Sequence, residues 1–451
     1  MYHSKLETIR AAAADAKAGR GEVGNAEIFH RETRELAASA CKGAIQEFTD
    51  SRSGAASVRV ATGLRMGSAF TERVDAGSLA GALASAAKAA AFMDVDEGNI
   101  LQEGSESLLV GLDAPWENEA VTTEAKKRLA LDLEAACLDA DPRVVNVPVA
   151  SYGESDMIRI VANARGMVKA ERHRACHAYA YVIATEGAST ETGFHLQAFP
   201  AFGSFDPEAL AAKAVENAIE KLGAVEPESG SMKAVILNDA ASDLLGAFMP
   251  SLSAEAIQKG KSGLAGKRGS KVGSSLFEVV DDPSGPGLNH AAFDDEGIAS
   301  GRLDPFSEGV FLEPLYTVYS SAREGARPNG RGFRPSPTAA VSAGLVNAVL
   351  PAGRASLGDL LSGLGSGILI TEVQGLHSGL NPVSGDFSCS ARGFEVRGGR
   401  RGRPLRNFTI SGNFYLLIAG LEAKASDLRQ DVYGSFRSPS IAISSISVSS
   451  A

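Results

Sequence analysis

Residues 368–381 read Ile-Leu-Ile-Thr-Glu-Val-Gln-Gly-Leu-His-Ser-Gly-Leu-Asn, and residues 382–388 follow as Pro-Val-Ser-Gly-Asp-Phe-Ser. A polar hairpin comes next, and the stretch closes at 407–414 on Asn-Phe-Thr-Ile-Ser-Gly-Asn-Phe. An apolar strand opens it, and Gly, Asn and Asp then punctuate β-rich sequence. Such spacing requires a backbone that turns sharply and holds specific side chains. No other stretch of the chain constrains the fold as much.

Outward from it, the second half reads as strands at Lys233–Leu237, Ser275–Val280, Val310–Tyr319, Val341–Leu350, Gly367–Glu372, Phe387–Val396 and Ile441–Val448. Helices are expected at Ala240–Met249, near Ser253–Gln258, and after Ser356 and Gly412. The first half opens with an amphipathic helix over residues 4–18, striped by Leu6, Ile9, Ala13 and Ala16 and stopped by Gly19 and Gly21. An antiparallel meander from Ala26 to Phe70 follows, then an Ala-rich helix over 76–92 and a helix from Thr122 to Asp141. Strands return from Val144 to His195, and Asp206-Pro207 starts a helix that Gly223 ends. The polar run 225–231 reads as a linker. The expected fold class is therefore α+β, with an N-terminal helix/antiparallel-sheet domain at 1–224 and a β-rich C-terminal domain at 232–451. No internal repeat is visible.

The 451 residues exceed what one ordinary core organises. A net charge of -10 argues against nucleic acid and anionic membranes as partners. Four scattered cysteines (Cys41, Cys137, Cys176, Cys389) suit reduced thiols, not a disulfide framework. With no signal-like N-terminus and no long apolar run, a cytoplasmic protein is expected.

Each chemical motif fails on inspection. His173 and His177 would form a zinc half-site on a helix, but the alternating run after them reads as a strand, which sets them ~13 Å apart. Gly260-Lys-Ser262 lacks the upstream glycine of a phosphate loop, since Glu255 stands there. Gly363-Leu-Gly-Ser-Gly367 precedes a strand where a dinucleotide fingerprint would follow one. The acidic runs Asp281-Asp-Pro283 and Asp294-Asp-Glu-Gly297 read as solvated turns, and the arginines at 392, 397, 400, 401, 403 and 406 as an exposed hairpin. No self-sufficient catalytic set emerges.

Seven pieces stand in order over residues 259–413: Lys259-Gly-Lys-Ser262, Asp281-Asp-Pro283, Phe293-Asp-Asp-Glu-Gly297, Ser321-Ala-Arg323 with Gly325, Gly379-Leu-Asn381, Ser384-Gly-Asp-Phe-Ser388 and Thr409-Ile-Ser-Gly-Asn413. Together they resemble the TldD/PmbA family, also called modulators of DNA gyrase. The resemblance implies two branches that pair as a heterodimer. The TldD branch carries HExxxH and a late cysteine that bind zinc. Here the HExxxH positions fall on Leu245, Gly246 and Pro250, and no cysteine follows Tyr433. The chain therefore looks like the TldE/PmbA branch, keeping Gly-Asp-Phe-Ser at Gly385–Ser388. That resemblance implies a non-catalytic subunit without its own cofactor, whose TldD-type partner holds zinc. Extended peptide or the partner would meet His377, Asn381, Ser384, Gly385, Asp386, Phe387 and Ser388. The segment Arg327-Pro-Asn-Gly-Arg331 and the Ser-rich tail depart from the family pattern. Service in maturing a peptide-derived natural product is one alternative. The others are a stand-alone homodimeric interaction protein and an unrecognised hydrolase using His177, His195 or His377.

Overall fold

The computed structural model describes residues 2–18, 25–432 and 434–450. The expected stops Gly19 and Gly21 lie outside the described residues. In the first half, α1 (Tyr2–Ala18) precedes β1 (Asn25–Cys41), β2 (Ala44–Thr62), β3 (Arg65–Thr71) and α2 (Ala76–Ala90). Then come β4 (Ser107–Val110), α3 (Thr123–Ala140), β5 (Val144–Asn163), β6 (Val168–Glu186), β7 (Ser189–Phe199) and α4 (Pro207–Ile219). These strands form one twisted sheet in the order β3-β2-β1-β5-β6, with β7 antiparallel and β4 parallel on β6. The expected meander is β1–β3.

A repeat absent from the sequence pattern is plain in the topology. Helix, three-stranded meander and helix occur twice, as α1-β1-β2-β3-α2 and as α3-β5-β6-β7-α4. The two units meet through the antiparallel β1–β5 pair. Each places a glycine of its third strand under its last helix. A Cβ on Gly67 would lie 2.0 Å from the Ala86 carbonyl oxygen, and one on Gly193 would lie 2.1 Å from that of Ala214. Such approaches demand small residues on both sides, which explains why α2 and α4 are so rich in alanine. The repeat escapes the sequence because two glycines, some alanines and a connectivity carry it.

One sheet face packs on α1 and α2 through Ile28, Val58, Val60, Ile158 and Ile160. The second unit packs on α3 and α4 through Tyr152, Ala178, Ala180 and Val182. Phe29, Val161 and Met167 belong instead to a cluster with Phe293, and so bind the second half of the chain.

That half begins at β8 (Gly230–Ile236), so Gly230 and Ser231 are already strand. There follow α5 (Asn238–Gly246), α6 (Ala254–Gln258), β9 (Val279–Asp281), β10 (Leu303–Ser307), β11 (Val310–Phe311) and α7 (Val318–Glu324). Next are β12 (Gly332–Phe333), β13 (Ser342–Ala343), β14 (Ala348–Val349), α8 (Leu357–Leu364), β15 (Gly367–Gln374), β16 (Asp386–Arg397) and β17 (Arg400–Asn413). The chain ends with α9 (Phe414–Ala419), β18 (Leu421–Lys424), β19 (Phe436–Arg437) and β20 (Ile441–Ser450). The main sheet has the order β17-β16-β15-β8-β20-β18. Phe248, Phe387 and Phe414 meet in its core, with the Phe248 and Phe414 rings stacked 4.4 Å apart. Burying each such ring contributes about 1.5–3 kcal/mol.

Several expected strands shrink. Only Val310–Phe311 of 310–319 is strand, because Thr317 and Ser320 form a capping box that starts α7. The expected strand 341–350 resolves into two two-residue strands, and Ser275–Val280 contributes only its end. Helix α5 starts two residues before the expected one and stops at Gly246. The cap read from sequence, Asp206 with Pro207, is fully formed, and the helices expected after Ser356 and Gly412 are there, capped by Ser356 and Asn413.

Candidate functional site

A cavity of about 970 Å³ lies where β7 and α4 of the first half face α5, α8 and β15 of the second. Strand β8 delivers the chain to α5, whose first turns place Asn238, Asp239, Ser242 and Asp243 on the cavity wall. Across from them stand Phe194, His195 and Leu196. Arg429 stitches the two sides: it donates to Asp239 Oδ2 (2.7 Å), to both Asp431 oxygens (3.0 and 3.1 Å) and to the Leu196 carbonyl (3.3 Å). Partial desolvation on the cavity wall, and then the Asp239 carboxylate one turn away, raise the Asp243 carboxyl above the usual carboxylate range. Burial and Arg429 lower His195. The outer carbonyls of β7 are covered: Lys221 donates to Thr192 O, Asn217 to Phe194 O and Arg429 to Leu196 O. Side-chain donors thus occupy this sheet edge, the usual way an edge is blunted against a further strand.

The residues singled out from sequence lie elsewhere, on the loop joining β15 to β16 (His377, Asn381, Ser384, Gly385) and on the first residues of β16 (Asp386, Phe387, Ser388). Asn381 Oδ1 accepts from the Val383 and Ser384 amides, and Ser384 Oγ accepts from the Asp386 amide. Asn413 Nδ2 donates to the Ser384 carbonyl and to Asp386 Oδ1, both at 2.8 Å, while its Oδ1 caps α9. That bond from Asn413 holds Asp386 below the usual carboxylate range. Gly385 has φ +85°, and a Cβ there would meet the Tyr415 ring at 2.7 Å. Phe387 is buried in the core, so it is a structural anchor and not a surface contact. His377, Asn381, Ser384, Asp386 and Ser388 are exposed. Val383 and Leu416 beside them are exposed too. Gly385 is buried against Tyr415, so it too is a turn residue and not a surface contact, and the crest is made by the five exposed members of the set.

Two expectations fail. Asp281, Asp294, Asp295 and Glu296 are buried, not solvated turn residues. Asp281 pairs with the buried Arg331 at 2.6 Å. Asp295 Oδ1 accepts from Arg159 (2.9 Å), which also binds Glu171 (2.7 Å). Glu296 accepts from Arg59 (2.9 Å) and from the Val318 amide (2.7 Å). Asp294 accepts three amides, from Glu296, Ile298 and Gly332. Burial, reinforced by the Glu296 carboxylate, nevertheless pushes Asp294 up to about 8. The Arg159–Asp295 and Arg59–Glu296 pairs form an ionic seam between the halves, and Asp281 and Asp294 are held within the second half. The available signal was charge at inward strand positions, as in Ala26-Glu27-Ile28-Phe29. Nor is the arginine run wholly solvated: Arg392 pairs with Glu191 and Arg401 with Glu220, tying the hairpin to the first half. Gly398 and Gly399 form its tip, with φ of 56° and 71°.

His173 and His177 lie on β6, as their alternation predicts. His177 pairs with Ala198 and His195 with Ala180, so the two imidazoles occupy opposite sheet faces. His377 is on the crest. The Cys176 thiol accepts from Asn118 and is pushed up to about 11 by burial, so it is no nucleophile.

Comparison with known proteins connects these observations. Residues 26–93, 116–222 and 229–450 match the models of PmbA/TldA metallopeptidase domain 1, central domain and C-terminal domain. The chain belongs to the PmbA/TldD metallopeptidase family. It is 24% identical over 411 residues to a metalloprotease PmbA homolog of Haemophilus influenzae, covering 90% of this chain and 88% of that one. It is 22% identical over 414 residues to metalloprotease PmbA of Escherichia coli O157:H7, with the same coverage. A Thermotoga maritima structure described as a candidate modulator of a DNA gyrase superposes over the whole of both chains, with a TM-score of 0.86 and 26% identity. TldE from Thermococcus kodakarensis shares the fold at a TM-score of 0.87 and 20% identity, over 98% of this chain and all of that one.

The resemblance assigns the HExxxH motif of the TldD branch to positions 245, 246 and 250, whose residues in this PmbA/TldD protein are Leu, Gly and Pro. Leu245 is 1% exposed within the main core, and Gly246 packs near Phe436. Pro250 is exposed in a short turn beyond α5. None carries a donor atom, and the site does not fit zinc. Among the described residues, no group of three His, Cys, Asp or Glu side chains is placed to hold a metal ion. No described helix is long and apolar enough to cross a membrane.

Proposed function

We propose that this chain is the non-catalytic, TldE/PmbA-type subunit of a heteromeric zinc peptidase. It pairs with a TldD-type chain that holds the metal, and it helps enclose the space in which extended peptides are cleaved. The observation that carries this reading is Leu245, an apolar side chain in the core where a metallopeptidase of this family would present its first histidine. The crest around Asn381–Ser388 is the partner- or peptide-facing surface. It presents polar groups that Asn413 has already fixed in place, so docking there costs little additional ordering. The cavity between the halves offers a second peptide-sized space, bounded by Phe194 and α5.

The test is co-expression with a TldD-type chain. The expected result is a stable complex that contains zinc and cleaves unfolded peptides, while this chain alone contains neither metal nor activity. Zinc together with turnover in the isolated chain overturns the reading, as does failure of the two chains to co-purify.

A further inference from the structure

Between α6 and β9 the chain runs through Gly260, Gly263, Gly266, Gly269 and Gly273, and basic residues fill the gaps. Lys259, Lys261, Lys267, Arg268 and Lys271 all lie within residues 256–277, a span without Asp or Glu in a chain of net charge -10. Lys259 pairs with Glu255. Lys261, Lys267, Arg268 and Lys271 have no ion-pair partner among the described residues. Two carboxylates belong to the β10–β11 segment beside the loop. Glu308 is at the exposed turn, and Glu313 accepts from Asn329 (3.5 Å). They leave the loop with excess positive charge.

The loop is firmly held. Ser262 Oγ donates to the Ser251 carbonyl (2.7 Å), Leu264 is buried in the main core, and Phe311 accepts from Gly269 and donates to Ser270. Gly263 abuts the crest: a Cβ there would lie 2.5 Å from the Tyr415 hydroxyl and 2.7 Å from the Val383 carbonyl oxygen. Lys267 stands over the Tyr415 ring, 4.7 Å from its centre, and the same ring covers Gly385. Tyr415 thus joins loop and crest into one surface. Val383 and Leu416 are its exposed apolar members, with Leu416 74% exposed. Leu312, also exposed, accepts from Arg268 Nε through its carbonyl (3.0 Å).

A loop of glycines and lysines invites a phosphate, but its backbone does not. The amides of Gly260, Gly269, Val272 and Gly273 are spent on the carbonyls of Ile257, Phe311 and Gly309, so they offer no cradle of free N–H groups. Single-stranded nucleic acid needs exposed rings on which bases stack, and the Tyr415 ring lies between Lys267 and Gly385. What remains is unneutralised positive charge beside exposed apolar side chains. Its complement is a protein segment that carries both carboxylates and apolar residues. Asp386, the one carboxylate of the crest, is bonded to Asn413 and repels such a segment on its own side, which directs the acidic end toward the loop.

We infer that the loop 259–273 and the crest together dock an acidic segment of a protein partner. Its carboxylates meet Lys261, Lys267, Arg268 and Lys271, and its apolar residues meet Val383 and Leu416. This rests on the reading of the crest as a docking surface and adds the chemistry of what docks there.

The probe is a fluorescein-labelled Glu-Leu-Glu-Asp-Leu-Glu peptide, titrated against the full chain by fluorescence anisotropy. Saturable binding is expected, roughly tenfold weaker when Lys267→Glu and Lys271→Glu are combined, and roughly tenfold weaker for the Gln/Asn analogue of the peptide. Raising the salt from about 0.01 M to about 0.1 M shortens the screening length from about 30 Å to about 10 Å and should weaken binding to the wild type. Circular dichroism confirms folding, and Lys271→Glu alone remains decisive should Lys267→Glu disturb the packing on Tyr415. Equal binding to the wild type and the charge-reversed chain overturns the inference. So does equal binding of the neutral analogue, or tighter binding of a single-stranded oligonucleotide. The assay needs no TldD-type chain, so its failure and a failure of the two chains to co-purify are read separately.

Discussion

Asp294, Asp295 and Glu296 are buried between the two halves, whereas Ser384, Asp386 and Ser388 stand on the surface crest. Both motifs combine acidic residues with a glycine of positive φ, Gly297 and Gly385. In the seam, Asp295 and Glu296 bind arginines contributed by strands more than a hundred residues away, while Asp294 is held by amides of its own half. On the crest, Asp386 binds a neighbouring asparagine and leaves its other side to solvent. The same residue types thus weld two domains in one place and shape an open surface in another. Burial decides which, because a carboxylate withdrawn from water must be fully paired whereas an exposed one need not be.

The comparison breaks most sharply at Arg159. Arg159→Ala leaves the buried Asp295 without its ion-pair partner and Glu171 with His173 alone, and should cost about 3–5 kcal/mol. Urea unfolding measures this, and a loss below about 1 kcal/mol would mean the seam behaves like a surface pair. Phe387→Ala should cost a similar amount, about 3–5 kcal/mol. It is the one crest-motif side chain in the core, and its loss would appear as a lower unfolding midpoint without first affecting a partner.

The seam should also report pH. Folded Asp294 holds its proton up to about 8, while the unfolded carboxyl releases it near 3.8. Between these values the folded state binds more protons, so this group's contribution is complete below the unfolded pKa and is lost as pH rises towards 8. The slope approaches about −1.4 kcal/mol per pH unit. Asp294→Asn should flatten the stability–pH curve between pH 5 and 8, whatever its uniform effect on stability; an unchanged slope assigns the titration elsewhere. The smallest effect on folding belongs to the crest. Asn381→Ala combined with Asp386→Ala should barely move the unfolding midpoint yet reduce assembly with a TldD-type chain or peptide cleavage. If both survive intact, the crest is not the working surface.

Much of the fold was legible because its signals are local. Asp206, Ser356 and Asn413 cap helices through amides two or three residues away, and the alternation of β6 is visible within a few residues. The strand expected at 310–319 failed for a local reason too, since the Thr317–Ser320 capping box outweighed an apolar run. The crest was legible because its residues are contiguous. The Arg59–Glu296 and Arg159–Asp295 pairs were not, since each spans more than a hundred residues and pattern alone cannot separate a buried carboxylate from a solvated one.

By itself, the sequence determined the α+β class, the Asp206–Pro207 helix cap, membership in the PmbA/TldD family through ordered short motifs, and the absence of metal-binding side chains at 245, 246 and 250. Each of these rests on residue identity or near-neighbour spacing. Only the tertiary structure decided that Leu245 is core, that Asp295 and Glu296 of the acidic run are a weld, and that the first half is a doubled unit. These depend on desolvation and on pairing across the chain, and both come into being only when distant segments meet.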